Sequence, residues 1–192
     1  LEAAKATGNM YMTTQNEDFG LWHHAYYYED EEYIPQAGYH ALIQDHCQTG
    51  PIMLLCYLHR VTGEQKYLDA AKKGADFLIT AQNPNGSWPH HWLLESQTGV
   101  TARGVENGGE VNDYGTSGPV QALLNMHEYT GEERYREAAL EGADWLIEAF
   151  IDNGNIAGWA GQYDAENNPV EARHFEPPSV TQYAPRWAAG GL

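Results

Sequence analysis

The chain repeats itself at a spacing of 68 residues, and this repeat limits what it can fold into. The block from Asp45 to Gly86 aligns without a gap on the block from Asp113 to Gly154 and is identical to it at 19 of 42 positions. A partial copy opens the chain, where residues 3–24 follow residues 70–91 with one additional residue. Such a repeat predicts similar supersecondary units that bury one another's apolar faces.

Each full copy is predicted to be a pair of helices. The first helix of the second copy runs from about Thr49 to Val61, and that of the third copy starts at Ser117. A Thr-Gly-Glu turn follows in both copies, and its glycines, Gly63 and Gly131, suit the left-handed residue that ends a helix. So short a link makes the two helices antiparallel neighbours. We therefore predict a single all-α domain of α/α-hairpin repeats over 1–192, with its first hairpin truncated at the N-terminus.

Equivalent positions at one rim of these hairpins suggest where function lies. Asp45 and Asp113 precede the first helices, so they share an end of the unit with the Gly-x-Trp turns that follow the second helices. Each tryptophan in these turns either closes its own hairpin or presents a flat apolar face to a sugar ring. We favour a groove, because the same loops carry a high density of polar side chains. The tryptophans are Trp22, Trp88 and Trp159, and the polar residues include His23, His24, His90, His91, Gln162, Tyr163 and Asp164.

Composition excludes several partners. The formal net charge is −17, and the ten lysines and arginines form no basic stretch, which argues against nucleic acid. No apolar run is long enough to span a membrane. The cysteines, Cys47 and Cys56, are poorly placed to bond each other. Three arginines fall in irregular segments, where binding groups concentrate; they are Arg103, Arg173 and Arg186.

Three long segments, 25–48, 93–116 and 151–192, show no sustained helix or strand period. Loops of this length in a compact domain are usually functional. The acidic run from Glu29 to Glu32 is predicted to be a solvated surface. The second segment ends with Glu110, Asn112 and Asp113, whose oxygens are the ligands calcium prefers, so these are candidate metal ligands.

Other chemistry is less favoured by the motifs. For Asp45 and Asp113, a cap or Asx-turn leading into the helix is equally open and is compatible with ligand binding. The adjacent histidine pairs lack the His-Glu-x-x-His spacing of a zinc site. Nucleophilic-serine, nucleotide-binding and dinucleotide motifs are absent.

Three stretches together resemble the pectic acid lyase family, polysaccharide lyase family 10. They are AQNPNGSWPHHW (Ala81 to Trp92), VNDYGT (Val111 to Thr116) and GWAGQYDAENNPVEARHFEPPSV (Gly158 to Val180), so that the resemblance spans roughly residues 44–180. It implies an incomplete α/α toroid of about three hairpins with long irregular loops on one rim. Before the first helix the family has Asp-Asn-x-Ala-Thr where this chain has Asp45-His46-Cys47-Gln48-Thr49, so it departs from the pattern at His46 and Gln48. It departs again at His90, where the family has glutamine.

The resemblance implies β-elimination on a pectate-like uronic-acid polymer. Calcium would stabilise charge on the C6 carboxylate, with Asp113, Asn112 and Glu110 as candidate ligands, while an arginine serves as base. By motif, Arg173 is the candidate base. The candidate substrate-binding residues are Asp45, Trp22, Trp88, Trp159, His90, Arg103, Gln162 and Arg186. An acidic polysaccharide partner further implies an extracellular or periplasmic location.

Two alternatives remain open. Other α/α toroids are glycosidases with two carboxylates, and Asp45 and Asp113 on adjacent hairpins would suit an inverting glycoside hydrolase. The other alternative is a non-catalytic glycan-binding or structural subunit, favoured if the first hairpin, and with it the groove, is incomplete.

Overall fold

The computed structural model describes residues 1–29, 32–35, 40–181 and 183–192, apart from the side chains of 27–29 and 32–35. Helices dominate it, and short strands occupy the segments between them. The helices are α1 (Glu2–Thr14), α2 (Thr49–Thr62), α3 (Gln65–Thr80), α4 (Ser117–Thr130), α5 (Glu133–Glu148) and α6 (Ala184–Ala188). The strands are β1 (Tyr26–Glu29), β2 (Glu32–Pro35), β3 (His40–Leu42), β4 (His91–Leu93), β5 (Thr98–Val100), β6 (Ile151–Asp152), β7 (Ala157–Gly158), β8 (Gln162–Tyr163) and β9 (Pro169–Val170).

The two full repeats are helical hairpins, α2 with α3 and α4 with α5, as predicted. Gly63 and Gly131 end the first helix of each pair with φ of 72°, a left-handed conformation that glycine adopts without strain. Their N–H groups donate to the carbonyls of His59 and His127, at 2.8 and 2.7 Å. Helix α1 packs on α2 and α3, while α2 packs on α4 and α3 on α5. The α/α-hairpin fold class is confirmed, and the closed or open form of a toroid stays a prediction.

Short strands replace part of what the sequence predicted to be irregular. Strands β3, β4 and β5 form an antiparallel sheet in which His40 to Leu42 pair with His91 to Leu93. Strands of two to four residues are too short to show an alternating pattern, so the sequence could not indicate them. The predicted solvated surface of Glu29 to Glu32 lies outside the described side chains.

The tryptophans of the Gly-x-Trp turns close the ends of the hairpins. Trp88 is fully buried and presents no face to a sugar, whereas Trp22 is 2% exposed and lies in the wall of a cavity of about 400 Å³. Their indole N–H groups donate to the carbonyls of Tyr11 and Leu78, at 2.8 and 2.7 Å, and Trp159 donates equivalently to Leu146 at 2.7 Å. The prediction that these rings line a groove is therefore wrong for Trp88 and stays a prediction for Trp22, which closes its hairpin and also adjoins the cavity. Trp159 is only half-buried and packs edge-on against a phenylalanine ring.

Each buried tryptophan also locks its unit to the next one. A Cβ added to Gly74 of α3 would lie 2.6 Å from the Trp22 ring, and a Cβ on Gly142 of α5 would lie 2.5 Å from the Trp88 ring. The two glycines therefore have a packing role. Glycine destabilises the interior of a helix, but no larger residue fits here because the tryptophan ring of the preceding unit occupies the space.

We expect Gly142→Ala to lower the free energy of unfolding by about 1 to 3 kcal/mol, the usual effect of overpacking. The added methyl group would also meet Val120 at 2.9 Å, so neither neighbour has room to yield. Thermal unfolding followed by circular dichroism measures the change. Gly50→Ala is the matched control, because its Cβ would meet only His46 at 3.7 Å. Equal losses of thermal stability in both variants would contradict the packing account.

Among the described residues, no helix is both long enough and apolar enough to cross a membrane.

Candidate active site

Two strained turns bring the repeated aspartates together. Asp45 and His46 have φ of 56° and 59°, and the equivalent Asp113 and Tyr114 have φ of 49° and 64°. Two consecutive non-glycine residues in the left-handed region cost of order 1–3 kcal/mol each, and such strain concentrates at functional sites. The N–H of Asp45 donates to the carbonyl of Asp113 at 2.8 Å, which joins the turns directly. His46 stacks on Tyr114 with ring centroids 4.7 Å apart.

The carboxylates of these turns do not cap the helices that follow. The residues at the helix starts are Gln48 and Thr116, and neither helix has a side-chain cap hydrogen bond. The cap interpretation of Asp45 and Asp113 is therefore wrong. Burial raises the pKa of Asp113, and the negative charge of Asp45 raises it further. The two carboxylates thus lie close enough to repel each other, in a position that favours a cation.

Arg173 contacts Asp113, one carboxylate of this pair. Its Nη2 is 3.5 Å from Oδ2 of Asp113, while its Nε and Nη2 donate to the two oxygens of Glu176 at 2.6 and 2.7 Å. The bidentate bond to Glu176, followed by the charges of Glu176 and Asp113, raises the pKa of the Arg173 guanidinium, and the same bond lowers the pKa of Glu176. The predicted base and one predicted acidic ligand are therefore neighbours. Glu176 is a partner that the sequence reasoning missed, although its position three residues after Arg173 was a usable signal.

Glu110 is committed to a buried polar network. Its Oε1 accepts from His90 Nδ1 at 2.8 Å and from Gln162 Nε2 at 2.7 Å, and its Oε2 is buried without a partner among the described residues. Burial raises the pKa of Glu110, and the hydrogen bond from His90 opposes this. The three side chains are 1% (Glu110), 7% (His90) and 1% (Gln162) exposed. His90 and Gln162 thus hold a site carboxyl in place.

The predicted metal ligands do not converge. No group of three His, Cys, Asp or Glu side chains in the described part of the chain is arranged to hold a metal ion. Glu110 is turned to His90, and the side-chain amide of Asn112 lies against Gly161, which leaves no room there for a Cβ. Asp113 alone of the predicted three adjoins another carboxylate, that of Asp45. Glu110 and Asn112 thus serve as parts of the framework of the site, and a role for them as metal ligands stays a prediction.

The other two predicted arginines do not contact this cluster in the described structure. Arg103 is exposed and its Nη2 is 3.5 Å from an oxygen of Glu171. Arg186 is exposed on α6, which packs against the short 3₁₀ segment Asn112–Tyr114 that holds Asp113. Neither guanidinium contacts the aspartates or Arg173 in the described structure. A role for them in binding substrate stays a prediction.

Open space flanks the cluster on two sides. A cavity of about 400 Å³ has Asp45 in its wall, together with Tyr11, His23, Tyr26 and His46. A second cavity, of about 170 Å³, is lined by Gln162, Phe175 and Glu176. The cluster of Asp45, Asp113 and Arg173 thus lies between two open spaces, since Asp45 lines the first and Glu176, the partner of Arg173, lines the second.

Comparison with known families bears on this arrangement. The sequence model of the pectic acid lyase family matches residues 22–102. Over these residues the chain is similar to the pectic acid lyase family, as its motifs predicted. The match contains the first of the three resembling stretches and Asp45, and it ends before Asp113 and Arg173. A search of curated proteins gave no match.

Solved structures extend the likeness over nearly the whole chain. A family 10 polysaccharide lyase from Cellvibrio cellulosa superimposes with a TM-score of 0.79 at 18% identity, covering 97% of this chain and 59% of the lyase. A mutant of that lyase in complex with trigalacturonic acid gives 0.78 at 18% identity, covering 97% and 60%. The cellobiose 2-epimerase from Spirochaeta thermophila gives 0.67 at 14% identity, covering 95% and 46%. At these identities the likeness shows a shared fold, and the chain spans about three fifths of the length of the lyase.

Proposed function

We propose that this protein is a polysaccharide lyase that cleaves a pectate-like uronic-acid polymer by β-elimination. The observation that carries the proposal is the contact between Arg173 and Asp113, beside Asp45, in a chain similar to the pectic acid lyases. A cationic guanidinium and paired carboxylates suit a substrate whose reactive carbon bears a carboxylate. The acidic trisaccharide bound by the structurally similar lyase mutant agrees with this substrate class.

Calcium is part of the proposal, and the aspartate pair fits it. Burial and, after it, the charge of Asp45 raise the pKa of Asp113, and a divalent cation would offset both effects. Carboxylate oxygens are the ligands that calcium prefers. Asp45 and Asp113 would hold the ion, with the substrate carboxylate and water supplying further oxygens. When bound, calcium supplies positive charge that stabilises the carboxylate as the neighbouring carbon loses its proton.

Arg173 has the role of base in this proposal. It would take the proton from C5, and the electron pair left behind would form the C4–C5 double bond as the C4–O bond breaks. Glu176 and Asp113 hold the Arg173 guanidinium in its protonated form by raising its pKa. The neutral fraction therefore rises with pH, and we expect the rate of cleavage to rise with it.

Ultraviolet absorbance tests the proposed reaction. β-Elimination leaves an unsaturated uronide, so we expect absorbance to rise when the protein is mixed with polygalacturonate and calcium. A chelator should stop the rise, and added calcium should restore it. Other polyuronides, tested in the same way, would identify the preferred polymer. No absorbance change on any polyuronide would refute the lyase proposal.

The alternatives give different results in the same experiment. An inverting hydrolase that uses Asp45 and Asp113 would release reducing ends without absorbance. A glycan-binding subunit would retain the polymer without producing either signal. A polymer substrate of this kind would place the protein outside the cytoplasm, in an extracellular or periplasmic location.

A further inference from the structure

We infer that His90 donates the proton that the departing glycosidic oxygen needs, so that it acts as the general acid of the elimination. This inference rests on the proposed lyase function and adds a second catalytic group to it. The base alone completes only half of the proton transfers, because the sugar that leaves from C4 must end as a neutral hydroxyl. The structure offers a candidate donor in the buried network around Glu110.

The His90 ring is held in one orientation. Its Nδ1 is 2.8 Å from Oε1 of Glu110, and Gln162 donates to the same oxygen at 2.7 Å. The backbone fixes both residues, since the N–H of Glu110 donates to the carbonyl of Trp88 at 2.9 Å and the carbonyl of His90 accepts from Ile43 at 3.1 Å. This arrangement commits Nδ1 to the carboxyl and makes Nε2 the atom that is free to exchange a proton.

Nε2 is the unpaired nitrogen of the His90 ring. It has no hydrogen-bond partner among the described residues, and it is not one of the fully enclosed side-chain atoms that lack a partner in that part of the chain. By contrast, Nδ1 of the neighbouring His91 is enclosed and unpartnered. His90 is therefore bonded at Nδ1 and unpaired at Nε2, and a proton donor needs such an unpaired nitrogen to reach a bound ligand.

The ring lies close to the proposed base. Gln162, whose Nε2 is 3.3 Å from Nδ1 of His90, lines the cavity of about 170 Å³ together with Glu176, the partner of Arg173. Ile43, whose N–H donates to the carbonyl of His90, is two residues before Asp45, and Glu110 is three residues before Asp113. The titratable groups around the ring are Glu110, which bonds to Nδ1, and His91, whose ring centroid is 4.2 Å away, with Asp113 and Glu176 beyond them at Arg173.

A purely structural role explains Glu110 less well. A glutamine would accept the same hydrogen bonds without burying a charge, and burying a carboxylate with one oxygen unpartnered is costly. A carboxylate is warranted when its partner becomes an imidazolium, which it stabilises. The acid at position 110 therefore suits a partner that transfers a proton.

The proton balance closes without any further reagent. Arg173 takes the C5 proton, the C4–O bond breaks with its electron pair on oxygen, and that oxygen takes the proton from Nε2 of His90. His90 is left neutral, with its Nδ1–H bonded to Glu110. Water then removes the proton from Arg173 and returns one to His90, so the protein is restored and no oxidant or reductant is needed.

The test is His90→Gln, whose amide still bonds to Glu110 but cannot transfer a proton. We expect kcat on polygalacturonate to fall about a hundredfold, with a small change in KM. In the wild type the rate should rise with pH and then level off where the His90–Glu110 pair loses its proton. Above that pH, the growing neutral fraction of Arg173 is balanced by the loss of the proton donor. In the variant the rate should keep rising, so that the difference between its rate and the wild-type rate shrinks at high pH. In Glu110→Gln the levelling should move to lower pH.

His127→Gln is the control, since His127 lies at the end of α4 near Glu132 and away from the site. We expect it to match the wild type. If His90→Gln is within twofold of the wild type, or if it is folded but slowed equally at every pH, His90 is not the proton donor. If the wild type itself gives no absorbance, the lyase proposal fails before this inference is reached.

A second measurement needs no variant and so covers the case in which His90→Gln does not fold. A uronide with 4-nitrophenoxide at C4 has a leaving group that needs no proton. For the wild type, its rate of elimination should continue to rise at the pH where that of the natural substrate levels off. Parallel pH profiles for the two substrates would overturn the assignment.

Discussion

Arg173→Ala is expected to lower kcat for polyuronide cleavage by about a hundred- to ten-thousandfold, the range that a positioned base contributes. The guanidinium is also the group that contacts Asp113, at 3.5 Å, and pairs with both oxygens of Glu176. Its removal leaves no other basic side chain in contact with either carboxylate among the described residues. Initial rates of ultraviolet absorbance at saturating calcium measure the effect.

Arg136→Ala is the matched control for this loss. Arg136 is an exposed arginine on α5 whose partner, Glu133, lies at 3.7 Å, so its removal takes away one charge without touching the site. We expect the control to keep the wild-type rate and thermal stability. If Arg173→Ala, shown to be folded by circular dichroism, retained more than a tenth of the wild-type activity, the base would have to be another group.

The ion pair between Arg173 and Glu176 gives the same prediction a second readout. The Glu176 carboxylate raises the pKa of Arg173, so Glu176→Gln should lower that pKa and move the rising part of the pH–rate profile to lower pH. A residue that only shaped the loop would change the rate without moving the profile. This distinction separates an electrostatic role from a structural one.

The helical hairpins could be predicted because their determinants are local and occur twice. Gly63 and Gly131 end the first helices in both copies, and a three-residue turn leaves the chain no other path. Gly74 and Gly142 also occupy equivalent positions of the two copies, and their missing side chains make room for Trp22 and Trp88. Repetition thus supplied an internal check that a single hairpin does not have.

The same repetition led to an error about the tryptophans. Equivalent positions indicate equivalent environments. A tryptophan that lines a groove and a tryptophan that closes its hairpin would both recur at this spacing, so the pattern alone could not distinguish the two roles. The deciding fact is burial: the indole N–H of Trp88 is satisfied by Leu78, inside the core. Burial depends on the packing of the next hairpin, which sequence spacing does not contain.

The polar network of His90, Glu110 and Gln162 could not be predicted from the sequence, for a different reason. His90, Glu110 and Gln162 are 20 and 52 residues apart, and they belong to loops whose paths are set by short strands and single bridges. The sequence suggested that each one bound a ligand, and it gave no sign that they bound one another. The Arg173–Asp113 contact spans 60 residues, and only the family resemblance proposed that both belong to one site.

Asp113→Asn should remove calcium dependence and lower kcat/KM by at least about a hundredfold, because one of the two proposed anionic ligands is lost. The same change should stabilise the calcium-free protein. Burial and Asp45 raise the pKa of Asp113 in the folded state, so the folded protein binds more protons than the unfolded one in the window above the ordinary aspartate value. Stability therefore falls as pH rises through that window, and the charged carboxylate is unfavourable at neutral pH.

Asparagine is the right replacement because it has nearly the same shape and tolerates the left-handed conformation of Asp113, whose φ is 49°. A gain of 1 kcal/mol in a chain of this length raises Tm by about 2 to 4 °C, which thermal unfolding in chelator resolves. Calcium should raise the Tm of the wild type by mass action and leave that of the variant unchanged. Asp144→Asn, at an exposed position on α5, should alter neither quantity. A variant that is less stable than the wild type in chelator would show that the aspartate pair is not held under repulsion, and the argument for a cation between Asp45 and Asp113 would fail with it.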